Sequence, residues 1–542
     1  MSDENTPTPA EEPALTEKKK PTGSRRGLIA GIVVAAVVVV GAGIGIPVAI
    51  NANSGSGSST GGGDSDGGDA APAAAVNADA TLRVGLRLEP TSLDIRTVSG
   101  AALDQILIDN VYEGLVSRDA TGDISPSLAT DWTVSDDGLT YTFTLAPDET
   151  FSNGDALTAD DVVWSIQGLI DAKGVNSGDL GKVTDVAADG DTTVTITLSD
   201  RDPELLYSLA GRAGLVLDQD ATNEIATTAI GSGPFLLDSW KQGDSITLTR
   251  NDDYWGEEPQ LKSVVFSYYT DATAGNNAIL AGDLDVLTGV DANTVSQFDG
   301  VDGLSVVDGS ASDKFVLAFN NAKAPLNDEK VRQAIRSAID HEAIITAVGG
   351  AGKVLGGPIT SNDPGYEDLS GLYPHDVDKA KSLLADAGYA DGLDLTLTIP
   401  SFYGTTVTDL LTSQLAEAGI TLTVNSVEFS TWLSDVYTNK DYELSIVDHA
   451  EARDFKNWAN PDYYFGYDNA TVQDLYAQAS SAASTDEEAD LLQQAAKIVS
   501  EDAAADWLYN STGTTIVADT VHDFPTDSTS SRLDVTGVTV TD

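Results

Sequence analysis

Four histidines, His341, His375, His449 and His522, are the only imidazoles in the chain, and it has no cysteine. No two of the histidines have the close spacing of an H-E-x-x-H zinc motif. Without thiols, a Cys-ligated zinc site, structural disulfides and thiolate nucleophiles are all excluded. Gly57-Ser58-Ser59-Thr60-Gly61 fits the G-x-S-x-G pattern of a serine hydrolase. A nucleophile elbow, however, needs a strand before it and a helix after it, and this pentapeptide lies in a run of Gly, Ser and Ala. Gly350-Ala351-Gly352-Lys353 resembles part of a phosphate loop, but Ala347 replaces the first glycine and Val354 the metal-binding hydroxyl. Asp64-Ser65-Asp66-Gly67-Gly68-Asp69 lacks the spacing and the bidentate glutamate of a calcium loop. Acid pairs are too abundant for any two to mark a glycosidase without geometry. The chemistry left is that of binding, and neither a metal site nor a cofactor is expected.

The chain holds 85 acidic and 29 basic residues, for a formal net charge of −56. Such a field repels phosphate backbones, and no Lys/Arg stripe offsets it, which argues against nucleic acid as a partner. The acidity reads as a solvated surface that favours solubility, with a preference for cationic ligands as the sharper alternative. At 542 residues the chain exceeds what one hydrophobic core usually organises, so two or more lobes are expected.

Location is written near the N-terminus. Gly27 to Ile50 is a run of 24 uncharged residues, and about 20 suffice to span the hydrocarbon core. Lys18, Lys19, Lys20, Arg25 and Arg26 precede it, so the positive-inside rule makes residues 1–26 a cytoplasmic tail and 27–50 a transmembrane anchor. A cleaved signal sequence is the alternative, since Ser24-Arg25-Arg26-Gly27-Leu28 also looks like a twin-arginine export signal. Both readings put the body outside the cytoplasm. Residues 51–80 read as a flexible Gly/Ser/Ala linker with an end-to-end distance of roughly 30 Å.

Beyond the linker the patterns are those of a folded body. Leu82, Val84, Leu86 and Leu88 alternate with polar residues, as do Leu139 to Leu145, which predicts strands. Thr158 and Asp161 form a capping box before a helix carrying Val162, Val163, Ile166 and Leu169. Asn327 or Asp328 caps a second helix, with Val331, Ala334, Ile335, Ala338 and Ile339 on one face. A third starts at Asp376 and closes at Gly388. LTLTIP, a helix from Thr405 to Glu417, and ITLTVNSV then give strand, helix, strand, the grammar of an α/β lobe.

Several blocks in fixed order resemble the extracytoplasmic solute-binding proteins of family 5, the dipeptide, oligopeptide and nickel receptors of ABC importers. LEPTSLD and NVYEGLV come first, followed by DWTVSDDGLTYTFTLAPDETFSNGDALTADDVVWS, GSGPFLLDSW and RNDDYWGEEPQL. AGDLDV, NDEKVRQAIRSAIDHEAI and DVDKAKSLLADAGY complete the set. The resemblance implies an α/β, two-lobed periplasmic-binding-protein-like fold of the large peptide-binding class (type II), to which the uncharged run 27–50 adds one preceding transmembrane helix. Lobe I would take residues 81–310, with an extra subdomain at about 119–230. Lobe II would take 311–505, and 506–542 would return to lobe I. It also implies a receptor rather than an enzyme: a monomer that captures peptides between its lobes and passes them to permease subunits with cytoplasmic ATPases. Another small solute such as a metal chelate or sugar, a sensory binding protein, and, more remotely, an exported hydrolase are the alternatives.

In the family a peptide's ammonium is held by an aspartate of lobe II shortly before a D/N-P-D segment, which corresponds here to Ile446–Asp468. The resemblance assigns that role to Asp454, with Asp448 second. Counting back from Asn460-Pro461-Asp462 reaches Asn457, so the alignment needs a gap. Of the lobe II arginines, Arg332 and Arg336 read as packing, which leaves Arg453 for a ligand carboxylate. His449 could touch ligand, though a hydrogen-bonded structural histidine is the plainer role; Trp458 and Tyr403 could stack on ligand or fill the core. The loop Thr97, Val98, Ser99 and Gly100 is the lobe I contact the resemblance suggests.

Overall fold

Leu82, Val84 and Leu86 are fully buried along the strand Thr81–Leu86, as their alternation requires. In the computed structural model, which describes residues 75–98, 101–119, 122–221, 225–309, 312–527 and 532–542, this strand lies at the centre of a seven-stranded sheet. Its neighbours are Ser263–Tyr268 and Val286–Leu287, both parallel to it. The expected tail and anchor, most of the linker, and Ser99 and Gly100 lie outside the described residues. Among the described residues no helix is long and apolar enough to cross a membrane.

An antiparallel four-stranded sheet, ordered Ala129–Val134, Thr140–Leu145, Thr193–Leu198, Val183–Ala188, forms a subdomain of lobe I. The helix Ala159–Ala172 packs on it through Val162, Ile166 and Leu169. Its start is the expected capping box, in which the Thr158 amide donates to Asp161 Oδ2 at 3.0 Å.

Lobe II is built on a six-stranded sheet, ordered Gly352–Lys353, Ala505–Ser511, Lys314–Phe319, Leu444–His449, Leu393–Pro400, Ile420–Val427. One face is covered by the helices Glu329–Ala338 and Thr406–Glu417, whose Val331, Ala334, Ile335, Leu411 and Leu415 are buried. The other carries a core of large aromatics, among them Trp432, Tyr464, Phe465 and Trp507, with the helix Thr485–Glu501 beside it.

The chain passes between the sheets twice. Leu304–Gly309 belongs to the first sheet and Lys314–Phe319 to the second; Ala505–Ser511 belongs to the second and Gly513–Ala518 to the first. The return crossing thus falls at Thr512, several residues beyond the point read from the sequence. The two crossings are tied together, since the Ser511 amide (3.0 Å) and Asn510 Nδ2 (2.8 Å) both donate to the Asp313 carbonyl. A double, cross-linked connection restricts the lobes to hinge closure. The last residues pack on lobe I through buried Leu533, Val535 and Val538.

The cavity between the lobes

The strands Leu393–Pro400, Ile420–Val427 and Leu444–His449 run parallel, so their carboxyl ends gather on one side of lobe II. That is where open α/β sheets bind ligands. The chain leaving the last of these strands, Glu451 to Asp454, forms one wall of a cavity of about 560 Å³ whose opposite wall belongs to lobe I.

Three arginines stand on the lobe I wall beside the acids Asp104, Asp179, Asp202 and Glu204. Arg212 Nε donates to Asp104 Oδ1 at 2.8 Å and its NH1 to the Ile95 carbonyl at 3.0 Å and to the Val98 carbonyl. Arg532, from the C-terminal return, pairs with Asp109 and donates to the Ala210 carbonyl at 2.9 Å. Arg118, at the end of the strand Val116–Arg118, lines the same wall, its guanidinium 3.7 Å from the centroid of the Tyr207 ring. Burial, with Arg532 and Arg453 nearby, pushes its pKa down. Against this, Tyr207 favours its charge.

On the lobe II side Asp454 is 3% exposed and Lys314 1%. Lys314 Nζ donates to Asp454 Oδ1 at 2.8 Å, and His449 Nδ1 lies 3.6 Å from Oδ2. Burial would raise the Asp454 carboxyl, but Lys314 and His449 outweigh it and hold it below the usual range. Tyr464 fixes the far side of the imidazole, with its hydroxyl 2.9 Å from His449 Nε2.

The lobes meet across the cavity mouth. Arg453 NH1 lies 2.5 Å from Glu204 Oε1 of lobe I and its guanidinium stacks on Tyr207 at 3.6 Å, so Tyr207 carries two cations. Lys182 of lobe I donates to the Ser480 carbonyl of lobe II. Buried Glu488 adjoins this contact, and burial followed by the charge of Glu204 pushes its carboxyl up.

Of the residues singled out in the sequence, Asp454 and Arg453 line the cavity. Val98 is tied to it through Arg212, and Thr97 Oγ1 donates to Asp94 Oδ2 at 2.7 Å. Trp458 is 2% exposed and stacks on Phe465 at 4.2 Å, which places it in the lobe II core. Tyr403 packs edge-on against Phe315 and its hydroxyl accepts from the Asp448 amide at 3.0 Å. Asp448 is buried at the hinge beside Asp313, and neither of its carboxylate oxygens has a partner among the described residues. Asn457 ends the short helical turn Asp454–Asn457 and is not among the cavity's lining residues. The sequence reading missed Arg118, Arg212, Arg532, Tyr207 and Glu204. Nothing local marks them, since each becomes a wall residue only through the packing of distant segments.

Two α/β lobes joined by two crossing segments around a polar cavity define a hinged binding protein, a receptor that closes on a solute. Residues 123–472 match the family model "Bacterial extracellular solute-binding proteins, family 5 Middle". The chain belongs to that family, whose members are receptors rather than enzymes, with an extracytoplasmic body. A protein of Escherichia coli described as "Probable D,D-dipeptide-binding periplasmic protein" is 27% identical over 468 residues, 80% of this chain and 89% of its own length. Heme-binding protein A of Haemophilus influenzae is 31% identical over 316 residues, covering 52% of this chain and 57% of its own. Among solved structures, an ABC transporter substrate-binding protein of Listeria monocytogenes superposes with a TM-score of 0.76 at 23% identity, over 86% of this chain and all of that one.

Proposed function

We propose that this protein is the substrate-binding component of an ABC importer and that its cargo is a short peptide, which it delivers to membrane permease subunits driven by cytoplasmic ATPases. The observation that carries the reading is the cavity itself. Its lobe I wall offers an uncommitted cation, Arg118, while Glu451, Asp363 and Asp454 bring acid to the lobe II side. Because Asp104, Asp202 and Glu204 on lobe I are matched by Arg212, Lys182 and Arg453, that guanidinium is left for a ligand carboxylate and the lobe II acids for an ammonium. A relative named for dipeptides supports the same cargo. Residues 27–50 would hold the receptor at the membrane as a single-pass anchor, with the body on the extracytoplasmic side.

Ligand closes the hinge only to the extent that it binds the closed form more tightly. Small molecules released from the purified full-length protein and identified by mass spectrometry should be peptides, and the same peptides should raise its melting temperature. A metal chelate or a sugar in their place would replace peptide as the cargo, and scattering profiles identical with and without a tight ligand would remove the hinge.

Arg453 serves both the cavity and the contact between lobes, so Arg453→Ala should weaken a verified ligand about tenfold. Because both partners are partly solvated, at 18% and 29% exposure, the pair should contribute no more than about 1 kcal/mol to folding, and melting of the empty protein should barely move. Calorimetric titration beside a melting curve checks both parts, and an unchanged affinity would take Arg453 out of the binding mechanism.

A further inference from the structure

Arg118 differs from the arginines around it. Val116, two residues before it on the same strand, is buried, and strand alternation places Arg118 on that same inward face. Arg212 pairs with Asp104, Arg532 with Asp109 and Arg453 with Glu204. The Arg118 side chain lines the same cavity with neither an ion pair nor a hydrogen bond to any described residue, and its guanidinium lies over the face of Tyr207. Stacking fixes the plane of the guanidinium but leaves its N–H edge free, and that edge suits bidentate recognition of a planar anion.

Closing the lobes removes water from that edge. Asp104 and Asp109 are near enough to favour its charge, but each is already paired with another arginine, and a desolvated guanidinium with no direct counter-ion is costly, a ring face offsetting only part of the penalty. An anion at Arg118 therefore favours the closed form over the open one. Asp104, Asp202, Glu204 and Asp363 also line the cavity, and their field disfavours a multiply charged group such as a phosphate while tolerating a single negative charge.

We propose that Arg118 is the anchor for a carboxylate of the ligand, so that the receptor selects solutes with a free carboxylate and orients them with that group on lobe I. This rests on the reading above for the location of the cargo and narrows its chemistry.

The test uses the full-length protein in detergent, wild type and Arg118→Gln, titrated with tetraalanine and with tetraalanine C-terminal amide. Wild type should bind the free acid about 30-fold more tightly than the amide, while Arg118→Gln should bind both alike and weakly. Equal binding of acid and amide by wild type, or a preference for the acid retained in Arg118→Gln, would overturn the proposal. If neither peptide binds, the peptide reading fails, and lactate and the nickel–histidine chelate become the probes. Stabilisation by either compound that Arg118→Gln abolishes would sustain the anchor without peptides; the absence of any Arg118-dependent stabilisation would overturn it.

Discussion

Lys314→Met should destabilise lobe II by about 3–5 kcal/mol, the usual result of removing one partner from a buried ion pair. The ammonium of Lys314 is enclosed, bonded to Asp454, and close enough to Asp363, Asp313 and Asp448 to interact with all three. One cation thus faces four buried acids. Methionine fills the space but leaves Asp454 with only His449 beside it. Urea denaturation should show a large fall in the midpoint, and a loss below about 1 kcal/mol would mean that the acids protonate at little expense. Adding Asp454→Leu should recover part of the loss, because a matched apolar pair removes the desolvation penalty of both charges.

The second large effect is a fall in stability between pH 5 and pH 8.5. Glu149 in lobe I is 2% exposed, neither carboxylate oxygen has a partner among the described residues, and burial with Glu113 nearby pushes it up to about 8. Glu113 is pushed up to about 7 by burial, although Ser232, Trp255 and Tyr254 donate to it. A carboxyl whose pKa is higher in the folded state than in the unfolded keeps a proton there that the unfolded chain gives up. Its favourable share is complete below about pH 4.5 and is lost as pH climbs through the folded value. Glu488, raised beside Glu204, and the Asp313/Asp448 pair act in the same direction. Asp454 and Asp506 are held low and act oppositely, but only in stronger acid. Melting temperature should therefore peak near pH 5, and Glu149→Gln should raise stability at pH 8.5 by on the order of 2–3 kcal/mol with little change at pH 5. A flat profile for the wild type, or no gain from the substitution, would show that water or an ion reaches this carboxylate.

The sequence by itself determined the elements and their order. Alternation at Leu82, Val84 and Leu86, the box at Thr158 and Asp161, and the apolar face from Val331 to Ala338 are local periodicities, and a period depends on the backbone of one element alone. They appear in the structure as strand, cap and helix. Ordered blocks likewise pointed to the family, and the segment Ile446–Asp468 to the neighbourhood of the cavity.

Tertiary structure decided which charges meet and which rings face solvent. Asp454 read as a candidate for a ligand ammonium, yet Lys314, 140 residues away, already occupies one of its oxygens. Arg453 reaches Glu204 across 249 positions and across the cleft, while Trp458 turns into the core between Phe465 and Trp507. Arg118 carried no local sign at all, because its isolation is a property of everything packed around it. Pairing depends on the register between elements hundreds of residues apart, and that register is settled by the burial of separate cores in two lobes joined through one double hinge.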